Sequence, residues 1–281
     1  MDGKTLEMLL SRPERIAGFD RGLEGRLRGE IGGGRAALVE IAGRDSVAAA
    51  VEAARSGCYD TLIPTIVYTG TEYGSWDRVL GNASLLSREV GGRVTVTGTV
   101  VLGSPAWWNA LAMRFAAVMQ RLYGLEPACV ACHMYLHAAR VPFARAVGAR
   151  AVVAGERLYH DGRRKLSQLE PALAAYGEVL ARAGVPLEVP LKDVRDGRLV
   201  ERILGEEWAE SEGQLRCVLE GNYRDASGEV LGRAADVEAY LEEFLKPFTQ
   251  RVLRSFEEVG APDYLTLAGE AAAAATEGRS R

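Results

Sequence analysis

Apolar positions recur at helical spacing near the start of the chain. Leu6, Leu9, Leu10, Ile16 and Phe19 form a stripe over residues 4–30 that predicts one or two amphipathic helices. Gly32-Gly33-Gly34 breaks that pattern. The period then changes. Residues 36–42 are apolar apart from Glu40 and predict a short buried strand, followed at once by Gly43-Arg44-Asp45-Ser46 and a helix from Val47 to Arg55, closed by Gly57. Thr61 to Tyr68 is rich in β-branched residues and predicts a second strand. Ser75 to Val90 reads as a helix and Arg93 to Leu102 as a strand. Ser104-Pro105, a cap followed by a first-turn proline, opens a helix that ends near Gly124. Another helix spans Cys129 to Val147, and Ala149 to Ala154 is a short strand.

Alternating strands and helices predict an α/β fold with a parallel five- or six-stranded sheet, helices on both faces, and further helices at the two ends. Beyond it, Gln168 to Ala183 is helical, Val185 to Leu191 a last strand, Arg198 to Trp208 a helix and Ala235 to Phe256 a long closing helix. The expected organisation is an N-terminal helical segment (1–34), an α/β domain (35–210), a segment with a third cysteine and the long helix (211–265), and a disordered Ala-rich, then polar, tail (266–281).

Composition narrows the chemistry. At 281 residues the chain is long enough to bury a core without disulfides. A formal charge of −4 supplies no bulk basic field, so contact with nucleic acid needs a local patch. No apolar run is long enough for a membrane helix, and Met1-Asp2-Gly3-Lys4 does not open a signal peptide; the expected location is cytoplasmic. In a reducing compartment Cys58, Cys129, Cys132 and Cys217 are thiols, metal ligands or redox groups before they are disulfides. Cys58 is expected to pack as a small hydrophobe near the end of the first sheet-flanking helix.

A strand that ends in Gly43-Arg44-Asp45-Ser46 and opens a helix gathers backbone N–H groups at a helix start, which is an anion site. Gly43 allows close approach, Ser46 can cap or donate, Arg44 adds charge, and Asp45 can hold Mg²⁺ or orient the loop. A plain helix cap explains the same residues. Residues 41–46, Ile-Ala-Gly-Arg-Asp-Ser, resemble the Ser-Gly-Gly-x-Asp-Ser loop of the PP-loop ATP pyrophosphatases (the adenine nucleotide alpha-hydrolase-like superfamily), with Ile41 and Ala42 in place of Ser and Gly. Those replacements weaken pyrophosphate cradling. The strand ending at Tyr68 resembles the family's adenine-contacting edge. Ala151 to Arg157 resembles its late strand-then-Gly segment, and Gly155-Glu156-Arg157 is closer to the Gly-x-Arg of the phosphoadenylyl-sulfate reductases. The resemblance covers about residues 36–205. It implies ATP with Mg²⁺ as cofactor, bound by Ala42, Gly43, Arg44, Asp45, Ser46, Tyr68, Gly155 and Arg157.

Cys129-Val130-Ala131-Cys132 brings two sulfurs to one centre across a helical turn, as zinc and iron–sulfur sites require. Several readings stand side by side. Cys129-x-x-Cys132-His133 also spells a c-type haem attachment motif. The pair suits a thioredoxin-like dithiol, or structural Zn²⁺ with His133 or His137, or three unconnected buried thiols. The set with the lone Cys217 also resembles the three-cysteine tRNA thiolation enzymes of the PP-loop superfamily. That resemblance implies a [4Fe–4S] cluster on Cys129, Cys132 and Cys217, with Asp45 and Cys217 catalytic and adenylation of a carbonyl preceding sulfur insertion. The implied enzyme is an ATP-dependent sulfurtransferase. Its partners are tRNA or a small nucleobase or nucleotide, a sulfur donor (sulfide or a carrier protein), and a second copy in a homodimer.

Two other readings remain: a sulfonucleotide reductase-like enzyme or desulfurase that leaves ATP intact, and a non-catalytic nucleotide- or zinc-binding regulator. Arg140, Arg145, Arg150, Arg157, Arg163, Arg164 and Lys165 form a basic strip in sequence, either a phosphate-binding face or a solvated one. His160-Asp161 is either an acid–base pair or a surface turn. Trp107-Trp108 either stacks a base or buries against the sheet. Residues 221–225 are a candidate lid beside Cys217.

Overall fold

The computed structural model describes residues 3–16, 21–160, 163–205, 207–208, 213–258, 260 and 262–279. Helices α1 (Gly3–Ser11) and α2 (Arg21–Ile31) precede β1 (Ala36–Glu40) and α3 (Arg44–Arg55). Then come β2 (Thr61–Val67), β3 (Glu72–Tyr73), α4 (Trp76–Val90), β4 (Thr95–Val96) and β5 (Val100–Leu102). Helix α5 (Pro105–Trp108) passes through a π turn (Asn109–Met113) towards α6 (Ala116–Tyr123), followed by α7 (Ala128–Ala138), α8 (Val141–Val147) and β6 (Ala151–Val153). The remainder is α9 (Glu170–Arg182), β7 (Leu187–Glu188), α10 (Gly197–Leu204), β8 (Arg216–Cys217), α11 (Ala234–Tyr240), α12 (Lys246–Glu258) and α13 (Tyr264–Arg279).

Six strands form one parallel sheet in the order β4-β2-β1-β6-β7, with β5 also pairing β2. The expected α/β architecture is therefore present. Alternation along each strand divides the core. Ala37, Val39, Ile41, Leu62, Ile66, Ala151 and Val153 pack with α3, α4 and α10. Ala36, Leu38, Ile63, Val67 and Val152 face the larger helical layer. Five buried alanines in α3 let that helix lie close to the sheet. Chain order reverses direction across β1, with β2 on one side and β6 on the other, so the carboxyl ends of those strands form a crevice.

The expected strand at 93–102 is two short strands, because residues 97–99 leave the ladder at Gly98. The expected helix at 129–147 is broken near Arg140, where Pro142 starts a new one. The tail is not disordered over 264–279. It forms α13, which buries Tyr264, Ala268, Ala271, Ala272 and Ala275, a stripe at helical spacing. Cys58 is exposed rather than packed, since it follows the turn that ends α3. Phe19 and Asp161 lie outside the described residues. No described helix is long and apolar enough to cross a membrane.

Candidate functional site

A cavity of about 300 Å³ opens at the carboxyl ends of β1 and β2. Glu40, Ile41 and Ala42 form its floor, Ile66 and Val67 continue it, and Cys129, Cys132 and His133 of α7 line it with Cys217 of β8. Two features bring Cys217 there. Strands β3 and β8 pair antiparallel with Glu72 opposite Cys217, a small sheet that the sequence did not signal. Val218 N–H also donates to Thr71 O at 2.9 Å. The Glu72 carboxylate fixes the preceding turn by accepting from Thr69 N–H and Gly70 N–H, each at 3.0 Å.

Each sulfur has a partner. Cys129 Sγ contacts Asn222 Oδ1 at 3.7 Å and Cys217 Sγ contacts Thr71 Oγ1 at 3.3 Å. Trp108 Nε1–H donates to Cys132 Sγ, and Leu219 N–H to Cys217 Sγ, both at 3.4 Å. Burial pushes the Cys129 thiol up to about 12, with the Cys217 sulfur adding to the effect. Burial raises Cys132 further, against the lowering influence of Trp108. In the absence of a cation these two sulfurs are therefore neutral thiols; a bound metal would supply the charge that makes them thiolates. Three thiols thus line one cavity, and two of the sulfurs already accept an N–H.

The phosphate loop is different. Ser46 Oγ accepts from Ala42 N–H at 2.9 Å and Gly43 N–H at 3.0 Å, and donates to Gly43 O at 2.8 Å. A Cβ on Gly43 would meet Gln214 Oε1 at 2.8 Å, so the Gln214 side chain covers the loop. Arg157, fully buried, pairs with Asp45 at 2.7 Å, and Arg44 turns to Asp45 at 3.0 Å and Glu201 at 3.7 Å. At Gly155 a Cβ would lie 2.4 Å from Ser46 N. As arranged, the loop's own hydroxyl holds the amides of 42 and 43, the groups that the resemblance assigns to phosphate. Of the residues the resemblance assigned to nucleotide, Ala42 lines the cavity; Gly43, Arg44, Asp45, Ser46, Tyr68, Gly155 and Arg157 stand outside its lining. Tyr68 instead packs on Trp76, with ring centroids 5.9 Å apart.

Other sequence candidates separate. Arg140 is buried and spent on Thr65, Leu136 O and Glu40. Arg145 pairs with Glu257 at 2.5 Å. Only the 163–165 stretch stays together, and Lys165 lines the cavity. His160 is buried, within 3.0 Å of Arg157 O. Trp107 is buried and stacked on Tyr264 at 5.6 Å, a packing role. Gly221 and Tyr223 line the cavity beside Asn222. Sequence reasoning missed Trp108 as a sulfur contact, together with Thr71 and Gln214. The Gly70–Gly74 turn was the available signal for Thr71; Gln214 had none.

His133 Nδ1 lies 2.7 Å from Glu156 Oε1 and His137 Nε2 lies 3.0 Å from the same oxygen, while Gln168 Nε2 donates to Oε2. Burial opposes charge on His133, but the charge of Glu156 and its hydrogen bond outweigh it and hold the imidazole above its ordinary value.

No family model matches the chain. The uncharacterised protein MJ0009 of Methanocaldococcus jannaschii is 34% identical over 221 residues, covering 78% of this chain and 79% of that protein. A crystal structure of a 4-thiouridine synthetase–RNA complex with bound ATP aligns at a TM-score of 0.45 and 17% identity, over 86% of this chain and 54% of that one. The chain thus spans about half the length of that synthetase chain.

Proposed function

The chain belongs to the family of the Methanocaldococcus jannaschii protein MJ0009, and we propose that it is a sulfur-transferring enzyme of PP-loop type that works on a nucleobase at the three-cysteine cavity. One observation carries the reading: cysteines from α7 and from β8, 85 positions apart by number (217 against 132), line one cavity at the carboxyl edge of a parallel sheet. Cys129, Cys132 and Cys217 would hold a [4Fe–4S] cluster. With three protein thiolates, such a cluster keeps one iron open to sulfide or to a sulfur-bearing group.

The chain's own residues prepare that space. Trp108 and Leu219 stabilise negative sulfur through N–H donors. Trp76 and Tyr223 stand in the lining, aromatic side chains of the kind that stack on a base. Three carboxylates (Glu40, Glu72, Glu220) stand against two cations (Arg140, Lys165) in the lining, so the interior suits a neutral base better than a phosphate. Phosphates of RNA or of a nucleotide belong outside, on Arg163, Arg164 and Lys165 at the rim.

A second reading is favoured by the filled phosphate loop: desulfurase or sulfonucleotide reductase-like chemistry that leaves ATP intact. The amides of Ala42 and Gly43 already serve Ser46, and this chemistry asks no phosphate of them.

Anaerobic purification followed by an absorption spectrum and iron and zinc analysis tests the cavity. The expected result is a brown protein with about four irons per chain. Colourless protein with zinc on the three cysteines returns the chain to a zinc-stabilised regulator, and no metal after reconstitution overturns the reading. Mass spectrometry of nucleosides from incubated tRNA, with and without ATP, then separates transfer from removal of sulfur.

A further inference from the structure

We propose that His133, His137 and Glu156 form a second metal site, for one divalent transition ion, Zn²⁺ or Fe²⁺, opening on the cysteine cavity. Their donor atoms all lie within 4.8 Å of one another, and among the described residues this is the one such group of histidine, cysteine and carboxylate side chains. His133 and His137 are four apart on α7 and so share a helix face. Glu156 comes from the segment after β6, which presents its carboxylate to that face.

The geometry is close to what an ion needs. Metal–donor bonds of about 2.0–2.1 Å in a tetrahedral site set donors about 3.3 Å apart. The two imidazole nitrogens now sit 2.7 and 3.0 Å from one carboxylate oxygen, so a few tenths of an ångström of side-chain rotation admits the ion. Gln168 occupies the other oxygen of Glu156, which holds the carboxylate for one-oxygen coordination and acts as the outer-shell partner such ligands have.

Charge points the same way. Glu156 is 3% exposed, and the nearby guanidinium groups are committed elsewhere, Arg157 to Asp45 and Arg140 to Glu40. Its hydrogen-bond partners are two imidazoles and an amide. A buried carboxylate needs a partner charge, which a protonated His133 or a divalent cation on the two neutral imidazoles supplies. The side of His133 that lines the cavity provides an entry path and a place for a water or substrate atom as the remaining ligand. Neither the ligand set nor its test depends on the cluster reading, since no cysteine takes part.

The test uses the full chain with Cys129→Ser, Cys132→Ser and Cys217→Ser together, its fold checked by circular dichroism. Equilibrium dialysis against Zn²⁺, or anaerobically against Fe²⁺, is followed by metal analysis, and Co²⁺ serves as the spectroscopic probe. We expect one ion per chain, visible cobalt bands, and no thiolate-to-cobalt charge-transfer band. Either His137→Gln or Glu156→Gln should weaken binding at least 100-fold. His133→Gln, at the cavity wall, should do the same if the buried variants fail to fold. Whichever of Zn²⁺ and Fe²⁺ is retained more tightly names the ion. Failure of all three metals to bind, or binding that survives these substitutions, would overturn the site. Loss of the cluster in the same triple variant leaves this result untouched, so the two readings fail separately.

Discussion

Asp45 stands under two readings that one substitution cannot separate without care. The resemblance makes it a phosphate-loop residue; the structure makes it the counter-ion of fully buried Arg157. Asp45→Ala strands that guanidinium, and breaking a buried pair in this way costs about 3–5 kcal/mol. A dead Ala variant would therefore say nothing about ATP. Asp45→Asn keeps an acceptor for Arg157 and is the variant to use. If sulfur chemistry is independent of ATP cleavage, Asp45→Asn should retain activity while melting within a few degrees of the parent; loss of activity in a folded Asn variant would place the carboxylate in the reaction. His160 gives a pH prediction. Burial, with Lys165 and Arg157 nearby, lowers its pKa from 6.5 to about 4. Between those values the unfolded chain takes up a proton that the folded chain refuses, so stability declines as pH falls from 6.5 towards 4, by about 2 kcal/mol or more if nothing relaxes. His160→Gln should flatten that part of the stability curve in chemical denaturation series. An unchanged slope would show that this imidazole is protonated in the folded state.

At the scale of elements, the hydrophobic period makes the main sheet readable. Buried strands such as β1 and β2 are short runs bounded by turns, and the pattern places each within a residue or two of its position. The two-residue strands β3 and β8 are not readable, because their pairing is set by the fold rather than by pattern, yet they deliver Cys217 to the cavity. Alanine misleads in α13: it is a weak hydrophobe but the best helix former, and Ala268, Ala271, Ala272 and Ala275 make a close-packing seam. Which residues line the cavity is legible for cysteines and for little else, since Thr71 and Gln214 reach it only through tertiary packing. The seam between β6 and α3 is the most sensitive joint. Any Cβ at Gly155 meets the Ser46 backbone at 2.4–2.6 Å, and backbone cannot step aside. Gly155→Ala should destabilise by about 1–3 kcal/mol or more. Gly177→Ala on α9, where a Cβ meets nothing within 4 Å, should instead stabilise by about 0.5–1 kcal/mol. Urea denaturation of the pair checks both signs at once, and equal effects would discredit the close approach.

The whole molecule is built so that one cavity is shared by parts far apart in sequence. The floor is the crevice at the ends of β1 and β2, one wall is α7, and the other is the 214–223 stretch. That last wall is the lightest. It is held by a two-residue ladder, the Val218–Thr71 backbone hydrogen bond, contacts from Cys217 to Thr71 and Cys129 to Asn222, and packing of Leu219 and Tyr223, whereas α7 is buried along most of its length in the main core. Such a segment lies at the low end of local stability. A metal group bonded to Cys217 together with Cys129 and Cys132 would tie this wall to α7. Loading then stabilises by mass action and concentrates its effect on the loose wall. Hydrogen exchange measured on reconstituted and metal-free protein should show slower exchange in peptides covering 214–223, with small change in β1 and β2. Cys217→Ser should abolish that local protection even where iron remains on the other two cysteines. Protection spread evenly over the sheet, or persisting in Cys217→Ser, would mean that Cys217 lines the cavity without joining the site.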